Sequence, residues 1–358
     1  MKRICQLYAP SFYRSYGKNA LNKMTEILPM VEKAGFNGVY LIALWQDGGA
    51  DNGFDVVSYT VNKNFGTEEQ LQTIIDKAHE LGMEIGVDVV PNHASDQCLL
   101  ANHAIEHDGD ELYIVTKEEA EKLTEAGVPS FFGKLAYSPF GDKYVRSTFA
   151  DYHQLNLNWN SEKVQFFFRS LFEHLNEIGI DFVRVDCGMM LLEDVTKACR
   201  ENPFACMNPE ASIQAIVNVA QGMPLFFEWF DPSSASLFDN LDNCYALDCS
   251  YVMSGKQNLD WANTSAKLVP LLGGHDQMTI EDRGICHYAA MQAMGESKAE
   301  YGFLDIQTLI GWKTEVDLKP GDEEYDADLQ NHNQRFRARR EIAPILDEFK
   351  KYLASSIG

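Results

Sequence analysis

An eight-stranded α/β barrel carrying one inserted subdomain is the fold this sequence predicts. Three observations point to it. Short apolar runs alternate with segments of helical periodicity, eight such runs can be counted, and a polar, turn-rich stretch over residues 94–157 interrupts the alternation once. Strands separated by helices build parallel sheets, and eight is the number that closes a (β/α)8 TIM barrel.

The elements follow in order. Residues 4–8 form the first strand; Leu21, Met24, Leu28 and Val31 then recur at helical spacing until Gly35. Residues 38–44 are the second strand. Thr67 and Gln70 have capping-box spacing and open a helix with Leu71, Ile74, Ile75 and Ala78 on one face, before the third strand at 84–90. Inside the insertion, Thr116 and Glu119 open one helix that Gly127 closes. Val164, Phe168, Leu171, Phe172 and Leu175 mark the next barrel helix, ahead of a strand at 181–186, a helix at 211–220 and a strand at 225–228. Runs at 245–247, 268–272 and 307–310 complete the eight strands, and 327–353 closes the chain as helix. The domain reading is barrel over 1–93, insertion over 94–157 and barrel again over 158–358.

The 358 residues include 30 basic and 53 acidic side chains, a formal charge of −23. That field repels phosphate backbones and anionic lipid, which argues against nucleic-acid and membrane partners. No apolar run approaches the roughly 20 residues of a membrane span. The start, Met1-Lys2-Arg3-Ile4-Cys5-Gln6-Leu7, turns polar too soon for a secretory leader, and the eight cysteines form no C-x-x-C pair. A cytoplasmic protein is the expectation.

Chemistry-bearing residues gather where strands end. Strand three runs into Asp88-Val89-Val90-Pro91-Asn92-His93; strand four carries Arg184 and Asp186, two apart and so on one side; strand five ends Phe226-Phe227-Glu228-Trp229; strand seven ends Gly273-Gly274-His275-Asp276. A carboxylate in an apolar run is costly unless paired or functional, and barrel sites lie at the carboxyl ends of strands. Two carboxylates on one cleft suit glycoside hydrolysis, which needs an ionised nucleophile and a protonated acid. Arg184 favours the charged form of Asp186, whereas the aromatic neighbours of Glu228 favour its neutral form. For a single strand, a buried ion pair and a strand cap would be the better reading. Four consistent strand ends favour a site.

These segments resemble the signature regions of the α-amylase superfamily, glycoside hydrolase family 13, in the order the family has them. Asp88–His93 (DVVPNH) and DFVRVD at 181–186 resemble the first two; Phe227-Glu228-Trp229 and His275-Asp276 resemble the third and fourth. Asn52-Gly53-Phe54-Asp55 with Tyr59 resembles the family's G-Y-D…Y loop, and QLNLNW at 154–159 resembles Q-P-D-L-N of the oligoglucosidase branch. The resemblance implies Asp186 as nucleophile, Glu228 as acid/base and Asp276 as stabiliser of the oxocarbenium-like transition state. It implies that Arg184 orients Asp186, that His93 and His275 hold sugar hydroxyls, and that Phe54, Asp55 and Tyr59 complete the sugar site. The implied activity is a retaining α-glycosidase or transglycosidase on small α-linked oligosaccharides. With the insertion and residues 46–59 as walls, a closed, exo-acting pocket is expected. The same site could serve a phosphorylase or isomerase, and a non-catalytic sugar- or partner-binding relative is the alternative from another class.

Several positions depart from the pattern. Gly274 replaces an Asn, Met278 and Thr279 stand where the branch has Pro-Arg, and Asn156 replaces an Asp. The first strand–helix loop, residues 13–18, lacks the D-x-N-x-D-G calcium spelling. No cofactor is expected to be required, and both calcium sites of the family are doubtful. A chain lacking the family's C-terminal β-sandwich is expected. His103-Ala104-Ile105-Glu106-His107 spells H-x-x-E-H, a zinc-protease pattern, but lies in the acidic insertion with no evident third ligand; it reads as a chance match. A metal-dependent hydrolase built on His93 and His275 is a third, weaker reading. The oligomeric state is not readable.

Overall fold

The structure is a computed structural model that describes residues 1–51, 53–125, 129–130, 133–134, 136–148, 154–190, 210–250, 258–274, 287–311 and 341–356. Among them, eight parallel strands form the barrel. These are β1 (Lys2–Tyr8), β2 (Gly38–Ile42), β3 (Glu84–Val89), β4 (Phe182–Val185), β5 (Leu225–Trp229), β6 (Cys244–Asp248), β7 and β8 (Tyr301–Asp305). Strand β7 comes in two pieces, Leu268–Val269 and Leu271–Leu272. The first pairs with β6, as Ala246 with Leu268, and the second with β8, as Leu271 with Phe303. Pro270 lies between them; having no N–H to give, it marks where the strand passes from one neighbour to the other. Its carbonyl accepts from Phe303 N at 2.8 Å. With β1 paired to β8 in register Lys2 with Tyr301, the wall closes.

Period-two alternation turns Gly86 and Asp88 of β3 inward, with Val87 and Val89 facing the helices. The interior is packed with rings. Phe182 lies 5.5 Å from Phe226 and 5.9 Å from Phe303, and Phe226 lies 5.0 Å from Phe303, centroid to centroid. Gly86 makes room for this layer, since a Cβ there would sit 2.1 Å from the Phe182 ring. The polar groups of the site lie above it, towards the strands' carboxyl ends.

Helices cover the outside. Ala20–Lys33 buries Leu21, Met24, Ile27, Leu28 and Val31. Glu68–Glu80 starts at the expected capping box, in which Gln70 N donates to Thr67 Oγ1 at 3.3 Å and Thr67 N to Gln70 Oε1 at 2.9 Å. Glu162–Ile178 buries Val164, Phe168, Leu171, Phe172 and Leu175 and stops at Gly179, whose φ of 94° suits glycine.

The insertion is an antiparallel sheet with two helices. Ala136–Phe140, Lys143–Ser147, Leu155–Asn156 and His93–Ala94 pair in that order, and Ile114–Thr116 joins Lys143–Ser147. Asn156 pairs with His93 and Leu155 with Ala94, so the segment's exit is tied to its entrance. Thr116 and Glu119 exchange hydrogen bonds at the start of Lys117–Glu125, as their spacing predicts.

Two expectations change. The run 307–310 is helix, Ile306–Ile310, and the eighth strand is Tyr301–Asp305 just before it. Asp305 caps this helix by accepting from Thr308 N at 2.6 Å, and Gly311 at φ 64° ends it. The polar stretch after strand three also contains a second helix, Leu99–His107. The final helix is Ala343–Ser356; the earlier part of the expected one, 327–340, lies outside the described residues.

Candidate active site

One side chain organises the polar end of the barrel. Arg184, on β4 and 3% exposed, faces inward between β3 and β5. Its Nη1 donates to Asp186 Oδ1 and, at 3.1 Å, to Asp88 Oδ1; its Nη2 lies 2.7 Å from Glu228 Oε1. Burial alone would lower the guanidinium's pKa, but the surrounding carboxylates of Glu228, Asp186 and Asp88 outweigh it and push it up, so Arg184 is a cation. Asp88 is anchored further by the Tyr40 hydroxyl and by Ala43 N at 2.8 Å. Ala43 holds a left-handed φ of 56°, which turns that N–H towards the carboxylate.

Glu228 is gripped at both oxygens. Oε2 accepts from Cys187 N at 2.7 Å. Cys187 also adopts a left-handed φ, 54°, bending the chain sharply after β4 so that its N–H points at β5. The expected apolar setting for Glu228 is not what surrounds its carboxylate. Phe227 and Trp229 lie on the other face, with rings 5.3 and 4.9 Å from Phe238. Among the described residues, the neighbours of the carboxylate include a guanidinium and a backbone N–H.

Loops from β2 and β3 bring in the next group. His93 is buried; one ring nitrogen, Nε2, lies 2.9 Å from the Phe54 carbonyl, and Nδ1 lies 3.1 Å from the Asn92 amide nitrogen. A carbonyl only accepts, so Nε2 carries the proton and Nδ1 takes a bond from Asn92. Burial lowers the His93 pKa despite nearby Asp186, leaving a neutral ring near pH 7. The Phe54 ring stands 5.6 Å from the Arg184 guanidinium carbon. Asp55 is fully buried and accepts from Ala50 N at 3.0 Å and Asp51 N at 3.1 Å, so its carboxylate braces its own loop. Burial raises the pKa of Asp55 and takes that of nearby Asp47 up to about 6. The Tyr59 hydroxyl accepts from Val90 N at 2.9 Å and donates to Val90 O at 3.2 Å, pinning the end of β3. His275 and Asp276 lie outside the described residues.

Asn92 and Asn156, where the family's calcium chemistry would be sought, form a neutral knot. Both donate to Thr148 Oγ1, at 3.1 and 2.9 Å, and Asn156 also donates to the Asn92 carbonyl at 3.2 Å. Ca2+ draws on several carboxylate and carbonyl oxygens. Among the described residues this set contributes no carboxylate and fits the ion poorly. In the H-x-x-E-H segment, His103 turns to buried Glu111 at 2.7 Å while Glu106 and His107 face solvent.

Sequence reasoning assigned no role to Asp88, Tyr40 or Cys187. The first two carry a readable signal, inward-facing polar groups in apolar strands. Cys187 acts through its backbone N–H and leaves no such trace.

The curated relatives include a probable oligo-1,6-glucosidase 3 of Bacillus subtilis (strain 168), 28% identical over 193 residues, which are 51% of this chain and 34% of that protein. A trehalose-6-phosphate hydrolase of Escherichia coli (strain K12) is 25% identical over 197 residues, 53% of this chain and 36% of that protein. The matches thus span about a third of each relative's length. A solved structure of a trehalulose synthase MutB mutant superposes with a TM-score of 0.73 at 18% identity, covering 96% of this chain and 72% of that one. Its likeness is one of fold. Residues 6–223, which include Asp55, His93, Arg184 and Asp186, match the family described as alpha amylase, catalytic domain; Glu228 comes after them and joins the site through Arg184. By that match over more than half its length, the chain belongs to the α-amylase catalytic-domain family.

Proposed function

We propose that this chain is a retaining α-glycosidase or transglycosidase acting on small α-glucosides. The observation that carries the reading is the single guanidinium that holds Asp186 on one nitrogen and Glu228 on another. Two carboxylates in contact with one planar group support the close spacing that retention requires, about 5–5.5 Å against roughly 6.5–9.5 Å for inversion, where a water must fit between substrate and base.

In the first step, an oxygen of Asp186 attacks the anomeric carbon while Glu228 gives its proton to the departing glycosidic oxygen. In the second, Glu228 takes a proton from water or an acceptor hydroxyl, whose oxygen displaces Asp186 from the sugar. Arg184 and the Cys187 N–H fix both carboxylates before substrate arrives, so little reorganisation is left for the transition state. Asp276, with His275, completes the set in this reading. Side chains supply acid, nucleophile and charge stabilisation, so no cofactor is required.

The names of the relatives support a short substrate. The solved trehalulose synthase supports a second outcome for the same covalent step, isomerisation, in which only the acceptor changes. We infer a cytoplasmic protein without nucleic-acid or membrane partners; its charge of −23 supports the lack of polyanionic partners. No helix among the described residues is long and apolar enough to cross a membrane.

The test is a product screen on maltose, isomaltose, sucrose, trehalose and maltooligosaccharides, with and without phosphate, reading the anomer by NMR. A 5-fluoroglucosyl fluoride should label Asp186, located by peptide mass spectrometry. Folded protein that turns over none of these and takes no label would favour the non-catalytic, sugar-binding reading.

A further inference from the structure

The charged cluster has a second chemical capacity, which involves Cys187 beyond its backbone. One ligand atom each of His93, Asp186 and Cys187 lies within 4.8 Å of the other two, and all three residues are buried. They form the one such group of three among the described residues. The donor types are imidazole nitrogen, thiol sulfur and carboxylate oxygen, the set that Zn2+ favours. An ion with bonds of about 2.0–2.3 Å in tetrahedral geometry spaces its ligands roughly 3.3–3.8 Å apart, so modest side-chain shifts close the triangle.

We propose that His93, Asp186 and Cys187 bind a thiophilic divalent cation, with Zn2+ as the model ion, and that the bound ion excludes the sugar. Coordination replaces the Cys187 S–H bond with an S–Zn bond and releases the proton to solvent. It also takes one ring nitrogen of His93 from its present partner, the Phe54 carbonyl or the Asn92 amide, at the cost of one neutral hydrogen bond. With the ion in place, the carboxylate that would attack the sugar is a ligand. The fourth position is left to water. The ion is thus an inhibitor, not a cofactor. Exclusion of sugar rests on the function proposed above; binding of the ion does not.

Co2+ serves as the spectroscopic probe. Titrating it into the 358-residue chain should raise a thiolate-to-cobalt charge-transfer band with tetrahedral d–d bands, which Zn2+ or EDTA abolishes. Cys187→Ser should lose the charge-transfer band, and His93→Ala should weaken Co2+ binding by at least tenfold, each checked for folding by circular dichroism. Because Cys187→Ser keeps a small polar side chain, a band that persists in the folded variant places the ion elsewhere and overturns the proposal, as does absence of the band in the parent protein. If a variant does not fold, X-ray absorption on the Zn2+-loaded parent decides: one sulfur with nitrogen and oxygen donors supports the site, and an all-oxygen shell overturns it. Zn2+ should also inhibit turnover competitively with sugar. Zn2+ that binds but leaves turnover unchanged refutes the exclusion alone, while a protein with the cobalt band and no glycosidase activity refutes the proposed function alone.

Discussion

Nη2 of Arg184 lies 2.7 Å from Oε1 of Glu228, while Nη1 of the same guanidinium holds Asp186. One planar side chain thus touches both carboxylates, an arrangement set by its two nitrogens. Lysine cannot reproduce it, because an ammonium is a point charge without a planar fork. Arg184→Lys should lower kcat by on the order of 10²-fold through misplacement of the pair. Arg184→Leu, which takes the guanidinium away from three buried carboxylates, should cost about 3–5 kcal/mol of stability. Steady-state kinetics and urea denaturation check both; wild-type kcat in the lysine variant would remove the guanidinium as the spacer.

Glu228→Gln keeps the shape of the side chain and removes the transferable proton. Turnover of substrates with poor leaving groups should fall by about 10²–10⁴-fold, the usual worth of a positioned general acid. Aryl glucosides that leave without protonation should lose far less in the glycosylation step. Equal losses on both substrate types would point to a broken site rather than a missing acid.

Packing inside the barrel gives a stability test independent of chemistry. In Gly86→Ala the new methyl meets the Phe182 ring at 2.1 Å, too close for contact, and the ring has Phe226 and Phe303 behind it. Overpacking should cost about 1–3 kcal/mol. Adding Phe182→Leu should recover part of this, which a double-mutant cycle by chemical denaturation would show.

Asp47 makes the stability of the β2 loop depend on pH. Its carboxyl rises from 3.8 to about 6 on folding, through burial and then the charge of Asp55. A folded pKa above the unfolded one means stability that is full below about pH 4 and lost as pH climbs through about 6. His93 works in the opposite direction. Its lowered pKa gives stability at higher pH that is lost as pH falls, so the raw profile mixes the two. The difference in Tm between Asp47→Asn and the parent isolates Asp47 and should grow in the variant's favour from pH 4 to pH 7. A difference that stays flat would show that Asp47 keeps an ordinary pKa in the folded protein.

The sequence reveals the site where a charge interrupts an apolar strand. Arg184 and Asp186 on β4 and Glu228 on β5 are legible on that ground, and the structure brings them together as their positions imply. Backbone donors and rings of the inner wall are less legible. Nothing in the letter Cys announces a left-handed φ or an N–H aimed at Glu228. The eighth strand escaped for another reason. Residues 307–310 are short and apolar, a pattern that periodicity cannot divide between strand and helix. The capping pair Asp305 and Thr308, with Gly311 beyond, was the signal that decides for helix. The aromatic run around Glu228 misleads in a similar way, because alternation sends Phe227 and Trp229 to the opposite face of the strand.

Pro270 gives the barrel a seam. On each side of it only two residues pair with a neighbouring strand, whereas β1 makes five matched positions with β2 and five with β8. Opening free energy follows the number of buried backbone bonds that must break together. Amide hydrogens of residues 268–272 should therefore exchange sooner than those of β1. The closed wall is thus held least tightly where a single strand hands over from β6 to β8.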